Sequence, residues 1–242
     1  MASRIAVGLP FAPNNPNLTF IFFVALTLLA VLGIRFSYYA YRNDRQTSEL
    51  GADHRLWEPL LLAGVLAVAF AVMGLVEVVT VYRLPFKMAF LLAHVLVLSA
   101  TLRMLYRSVV PAASDEDASE QRATRAAVGG VTAVFVGLVL VGRHPVLLAA
   151  LGVSSLAFAL SGFVYGRRGA TAARVQGTVV DTLLRHLLPV LLFGAMVPAM
   201  ELAVLVGLDR IVVLHVQVVF VIMTATTLMT ATIKLRQNLA TL

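Results

Sequence analysis

No cysteine occurs in the 242 residues. Disulfides, thiolate metal sites, iron–sulfur clusters and cysteine nucleophiles are therefore excluded, and the redox compartment is left undecided. Charge is nearly as scarce. Only 13% of the residues are Asp, Glu, Lys or Arg against 60% apolar, and the mean hydropathy is +0.91. A water-soluble domain of this length could not cover its surface with so few charges. Catalytic signatures are missing too: the chain has no Gly-rich phosphate loop, HExxH, GxSxG or Walker pattern. The net charge of +7 does not point to nucleic acid, because most of the basic residues border apolar runs, where they act as topology anchors.

What is present is a series of apolar runs of roughly 20 residues, the length a helix needs to cross about 30 Å of hydrocarbon. The sequence predicts an all-α, single-domain bundle of seven transmembrane helices over 18–41, 57–82, 85–106, 125–141, 145–165, 179–206 and 210–235. Its first partner is the lipid bilayer, with the cell membrane as the expected location. A homo-oligomer or a membrane partner subunit is left open. Residues 1–17 carry Pro10, Pro13 and Pro16 before the first long run, and read as a cap rather than a signal peptide.

Charge sets the expected orientation. Of the 19 Lys and Arg, only Arg4, Arg83, Lys87, Arg143 and Arg210 fall on the side of the N-terminus. The positive-inside rule then predicts the N-terminus outside and the C-terminus inside. The outer links, "RLP", "GRHP" and "GLDR", are short enough to make their flanking helices antiparallel neighbours. The inner loops are longer and polar, and "AASDEDASEQRAT" reads as a solvated linker. Neither side has room for a soluble domain, so any chemistry belongs to the bundle or its mouths.

Ionisable groups inside a span cost about 2.5–3.5 kcal/mol near the helix centre on insertion scales, which makes them candidate functional residues. Four share the outer half: Glu77, His94, Glu201 and His215. They come in the same order twice, Glu77–Arg83–His94 and Glu201–Arg210–His215, with spacings from Glu to His of 17 and 14 residues. This order suggests a 3+1+3 arrangement, two parallel repeats over 18–106 and 145–236 joined by the helix at 125–141. The carboxylates would attract a cation or proton, and the imidazoles would coordinate or relay it. The same four side chains could hold a divalent metal, and the two histidines could be the axial ligands of a haem. The plainer reading has the carboxylates paired with Arg83 and Arg210 and the histidines hydrogen-bonded between helices. His144, in "GRHP", reads as a helix start at the headgroups, and Asp181 with Arg185 as a stabilising i, i+4 pair.

The sixth span carries Pro189 and Pro198, which predict a bend close to Glu201. The seventh carries Thr224, Thr226, Thr227, Thr230 and Thr232, suited to close helix packing. A retinal pigment is excluded in its ordinary form, because the last span has only Lys234, at its inner end, where a Schiff base needs a mid-depth lysine. The leading expectation is a small transporter or an ion- or proton-responsive membrane protein. The alternatives are a metal- or haem-dependent membrane enzyme or electron carrier, and a structural or signalling subunit without a ligand. The cofactor alternative predicts near-stoichiometric metal or a Soret band in detergent-purified protein, lost in His94→Ala/His215→Ala; clean protein with neither removes it.

Overall fold

A computed structural model describes residues 12, 15–49, 56–80, 82–109, 117–171 and 179–239. Most of the expected cap over 1–17 and most of the polar loops at 50–55, 110–116 and 172–178 lie outside the described residues. The described secondary structure consists of α1 (Pro16–Glu49), α2 (Trp57–Val79), α3 (Lys87–Val109), α4 (Asp117–Leu140), α5 (Pro145–Ala170), α6 (Val179–Ala199), α7 (Glu201–Leu205) and α8 (Arg210–Leu239). Among the described residues seven spans are long and apolar enough to cross a membrane, α6 and α7 together forming the sixth. This is the helical composition of an integral membrane protein.

Local chemistry sets the ends. Asn15 caps α1 by accepting from Leu18 N at 3.0 Å, and Pro16 opens the helix where its missing N–H costs nothing. α1 then runs past the expected 41 to Glu49, through polar sequence. Asn43 supports that extension: it is fully buried, donates to Leu235 O of α8 at 3.1 Å, and accepts from Asn238 at 2.8 Å. α2 stops at Val79 rather than 82, where Thr80 turns to extended backbone (φ −126°, ψ 175°) while its N–H and hydroxyl still reach Val76 O. α4 starts at Asp117 instead of 125, so part of the expected linker is helix; the sequence "DASEQRATR" is rich in good helix formers. Gly142 (φ 72°) and Gly207 (φ 94°) adopt the left-handed conformation that ends α4 and α7 tightly enough for two of the short links.

The sixth span is not one helix over 179–206. It breaks at Met200, between α6 and the five-residue α7. Pro198 has no N–H to give the carbonyl one turn back, and its ring crowds that carbonyl, so the ladder loses its continuity there.

The helices form a closed ring in which α1 meets α2 and α8, α2 meets α3, α3 meets α5, and α6 meets α5 and α8. α3 and α6 also touch across the middle. α3 is the most enclosed span, with 61% of its apolar window buried, and α4 the least, with 11%. α4 stays outside the ring, held by Phe135 against Phe90 of α3 and Phe86 just before it, and by Gly137 against Leu147 of α5.

Since lipid tails are as apolar as leucine, helix association here rests on close packing and interhelical hydrogen bonds. α5 shows both. Its Ser155 donates to Ala195 O of α6 at 2.8 Å. Its glycines receive leucines of the neighbouring helix, Gly162 facing Leu191, Gly166 facing Leu188 and Gly169 facing Leu184. At Gly162 an added methyl would also lie 3.0 Å from the Ser99 backbone of α3, whereas at Gly129 of α4 nothing lies within 4 Å. The same substitution therefore has opposite expected signs. Gly162→Ala is expected to lower the thermal unfolding midpoint in detergent through overpacking of about 1–3 kcal/mol. Gly129→Ala is expected to raise it through a gain of about 0.5–1 kcal/mol in helix propensity. Equal effects at the two sites would show that close approach at Gly162 is not what the residue provides.

Candidate functional site

The three short links, α2–α3, α4–α5 and α7–α8, gather at one end of the bundle. Glu201, the first residue of α7, is fully buried there. Its carboxylate accepts from Arg210 Nη1 at 3.0 and 2.9 Å, from Gln217 Nε2 at 3.0 Å, and from Arg143 Nη2. Arg210 opens α8 nine residues on, Gln217 lies two turns deeper on the same helix, and Arg143 comes from the α4–α5 link. One carboxylate thus ties three segments together. The break after Pro198 and the tight turn at Gly207 are what bring Arg210 back over Glu201.

A second carboxylate does similar work next door. Glu77, near the end of α2, takes a charge-assisted hydrogen bond from Lys87 Nζ at the start of α3. Its other oxygen accepts from Leu84 N of the link at 2.5 Å. Lys87 and Glu77 are both largely withdrawn from solvent, with side chains 8% and 12% exposed. Buried carboxylates this well satisfied hold the turn in place, because removing either partner would strand a charge.

Between the two clusters lies a cavity of about 230 Å³. Its polar wall consists of Glu77, Arg83, Lys87, Arg143, Arg210 and Gln217, and its apolar wall includes Phe22, Leu26, Phe70, Met88 and Leu214. Four cations therefore line it with one carboxylate, and the second carboxylate, Glu201, stands behind Arg143 and Arg210. The side chains of Arg143 and Arg210 are 36% and 37% exposed, so part of each guanidinium reaches the opening. At Arg143, outside the spans, burial pulls the guanidinium below its ordinary pKa; Glu201 opposes this, Arg210 adds to it, Glu77 opposes and Arg83 adds. Arg143 is thus in electrostatic reach of both carboxylates and of two other cations.

Of the four residues singled out in the sequence, Glu77 and Glu201 come to this end of the bundle, each already neutralised by a cation. His94 is buried farther down α3, where Nδ1 pairs with Ala63 O of α2 at 2.8 Å. Among the described residues its buried Nε2 has no hydrogen-bond partner, and Gly194 of α6 lies opposite, where an added methyl would be 3.7 Å from that nitrogen. His215 is on an exposed face of α8, with Nδ1 against Ile211 O one turn back at 2.7 Å. The α8 face turned inward runs through Leu214, Gln217, Val218, Val221 and Thr224, and position 215 falls outside that stripe. The two histidines therefore do not form a facing pair for a haem. Among the described residues no group of three or more His, Asp or Glu could hold a metal ion, since the carboxylates are occupied by guanidinium and ammonium groups.

Three members of the cluster were not singled out from sequence. Lys87 and Arg143 were counted as topology anchors, and Gln217 carries no charge. The available signal for Gln217 was the helical spacing with Val213, Leu214 and Val221. The lesser expectations stand as geometry: His144 caps α5, with Val146 N at 3.4 Å from Nδ1, and Arg185 Nε meets Asp181 at 2.6 Å. Arg103 lies over the Tyr165 ring at 5.1 Å.

No protein-family model, curated protein or solved structure matches the chain. The site therefore rests on its own geometry. Glu201→Gln leaves Arg143 and Arg210 without their counter-charge and is expected to cost about 3–5 kcal/mol of stability, the usual loss when one partner of a buried pair is removed. His215→Ala, on the exposed face, is expected to leave the unfolding midpoint near wild type. Thermal unfolding of the two variants in the same detergent checks both, and a wild-type midpoint for Glu201→Gln would mean the pair is not the clasp described.

Proposed function

We propose that this protein is a small membrane transporter or ion-responsive membrane protein whose binding site is the cavity at the short-link end, and that its solute is an anion. The observation that carries the reading is the charge balance around the cavity. Arg83, Lys87, Arg143 and Arg210 face the two carboxylates Glu77 and Glu201, which leaves two positive charges in excess beside a partly desolvated space. A low-dielectric wall strengthens the attraction of such a site for a negative group, and guanidinium forks match carboxylate and other oxyanions. A volume near 230 Å³ is below the roughly 300–1,000 Å³ of drug-sized sites, which favours a small solute.

Three features support transport over plain packing. With the positive-inside orientation the cavity opens outward. The short α7, which carries Glu201, follows the Pro198 break and offers a movable piece of wall. Part of the neighbour pattern supports the 3+1+3 repeat, although the α3–α6 contact has no α2–α8 counterpart. Exchanging α1, α2 and α3 for α5, α6 and α8 turns α1–α2 into α5–α6, α2–α3 into α6–α8 and α1–α8 into α5–α3, all of which are observed neighbours. In that scheme Glu77 with Lys87 corresponds to Glu201 with Arg210, each a carboxylate paired with the first residue of the next helix. His94, with its unpartnered Nε2 deep between α2, α3 and α6, favours a second and narrower role as a proton-carrying or water-holding group below the cavity.

The test uses detergent-purified protein and a panel of chloride, nitrate, acetate, sulfate and phosphate as sodium salts at constant ionic strength. At least one anion is expected to raise the unfolding midpoint saturably. Arg83→Gln, a change on an exposed link residue, is expected to weaken that anion about five- to tenfold, the loss of part of one charge-assisted contact. Uptake of the same anion into proteoliposomes separates transport from binding alone. No saturable response to any anion, or a response that follows the cation instead, would leave the cluster as a structural clasp.

A further inference from the structure

At the opposite end of the bundle a separate cleft of about 400 Å³ lies between α1 and α8. One part is apolar, formed by Leu32 of α1 with Met229 and Ile233 of α8. The other is cationic and polar, formed by Arg35, Tyr39 and Arg236. No acidic residue lines it, and among the described residues neither Arg35 nor Arg236 has a hydrogen-bond or ion-pair partner. This differs from the short-link end, where Lys87, Arg143 and Arg210 are each matched to a carboxylate. Arg35 also marks where the apolar run of α1 gives way to polar sequence, and Arg236 sits in the last turn of α8 beyond Lys234. Both helices therefore change from oil-compatible to water-compatible sequence at the level of this cleft. Met229 and Ile233 are 43% and 44% exposed, so the apolar part opens sideways rather than into the ring.

We infer that this cleft is a binding site for an anionic glycerophospholipid. An acyl chain lies along Leu32, Met229 and Ile233, and the headgroup phosphate sits between the Arg35 and Arg236 guanidiniums with the Tyr39 hydroxyl beside it. The occupant follows from charge and polarity together. A free phosphate would use the two arginines and leave the apolar slot empty, and a neutral lipid would use the slot and leave two uncompensated cations at the hydrocarbon boundary. Only an amphiphile with a negative head matches both halves. The lateral opening admits a lipid directly from the bilayer. Asn43, which pins α1 to α8 just beyond the cleft, keeps its two walls at a fixed separation.

The experiment is native mass spectrometry of the full chain released from micelles containing equal amounts of palmitoyl-oleoyl phosphatidylglycerol and phosphatidylcholine. One retained phosphatidylglycerol per chain is expected, with a preference over phosphatidylcholine of about thirtyfold from two surface-level cations. Arg35→Gln/Arg236→Gln is expected to reduce the preference to about threefold or less. Arg236→Gln alone, at an exposed position in the final turn, provides a folded reference if the double variant does not fold, and is expected to lower the preference about fivefold. Millimolar inorganic phosphate is expected to leave the bound lipid in place. Equal retention of the two lipids by wild type, an unchanged preference in Arg236→Gln, or displacement by inorganic phosphate would each overturn the assignment.

Discussion

Glu201 is the residue on which the short-link end depends. Its carboxylate is wholly removed from solvent, and such a charge is tolerated only with its lone pairs filled and its charge balanced. Arg143, Arg210 and Gln217 do both, and with Glu201 they join three stretches of chain, the α4–α5 link, α7 and α8. The requirement runs backwards into the backbone. Glu201 can face Arg210 because the sixth span breaks after Pro198 and because α7 closes on a left-handed glycine, with only two residues between it and the start of α8. It can face Arg143 because the α4–α5 link is short. The cavity exists in the space left between this clasp and its smaller counterpart at Glu77.

The remainder of the bundle is held by weaker and more numerous means. Leucines of α6 enter the glycine positions of α5, Ser155 and His94 reach carbonyls of neighbouring helices, and Asn43 joins α1 to α8 where both leave the apolar zone. None of these draws on the hydrophobic effect between helices, which lipid cancels. They explain why polar side chains recur at intervals along the interior of so apolar a chain. They also explain why the two ends differ. At one end Lys87, Arg143 and Arg210 are paired with carboxylates across the links, while at the other Arg35 and Arg236 have no ion-pair partner among the described residues.

The spans were legible because an apolar run of the right length is a direct physical requirement, written locally in the sequence. The start of α5 at Pro145 and of α8 at Arg210 coincided with expectation, since a proline and a cation following a turn mark those points unambiguously. The interior break at Met200 was harder to read, because a proline in a membrane helix can bend it or interrupt it depending on what re-satisfies the freed carbonyl. The site was less legible still. Which charges meet is decided by helix rotation and by the path of links only a few residues long. Arg143 looked like a headgroup anchor and acts as a counter-ion. His215 looked like the partner of His94 and is separated from the interior by about half a turn of α8, where Gln217 takes the inward position. A strict count of the inward stripe from Val213 would have given the correct residue.

α4 has a mechanical consequence of its own. With only 11% of its apolar window covered, and with its attachments concentrated around Phe135, Gly137 and the Arg143 link, it is fixed at one end and left uncovered by the other described helices along most of the rest. A helix in that situation answers to bilayer thickness by changing its tilt, at a cost of a fraction of a kcal/mol per Å of mismatch. The ring of the other spans, packed on both sides, has no such freedom. Any tilt of α4 would pivot on the link that supplies Arg143 to Glu201.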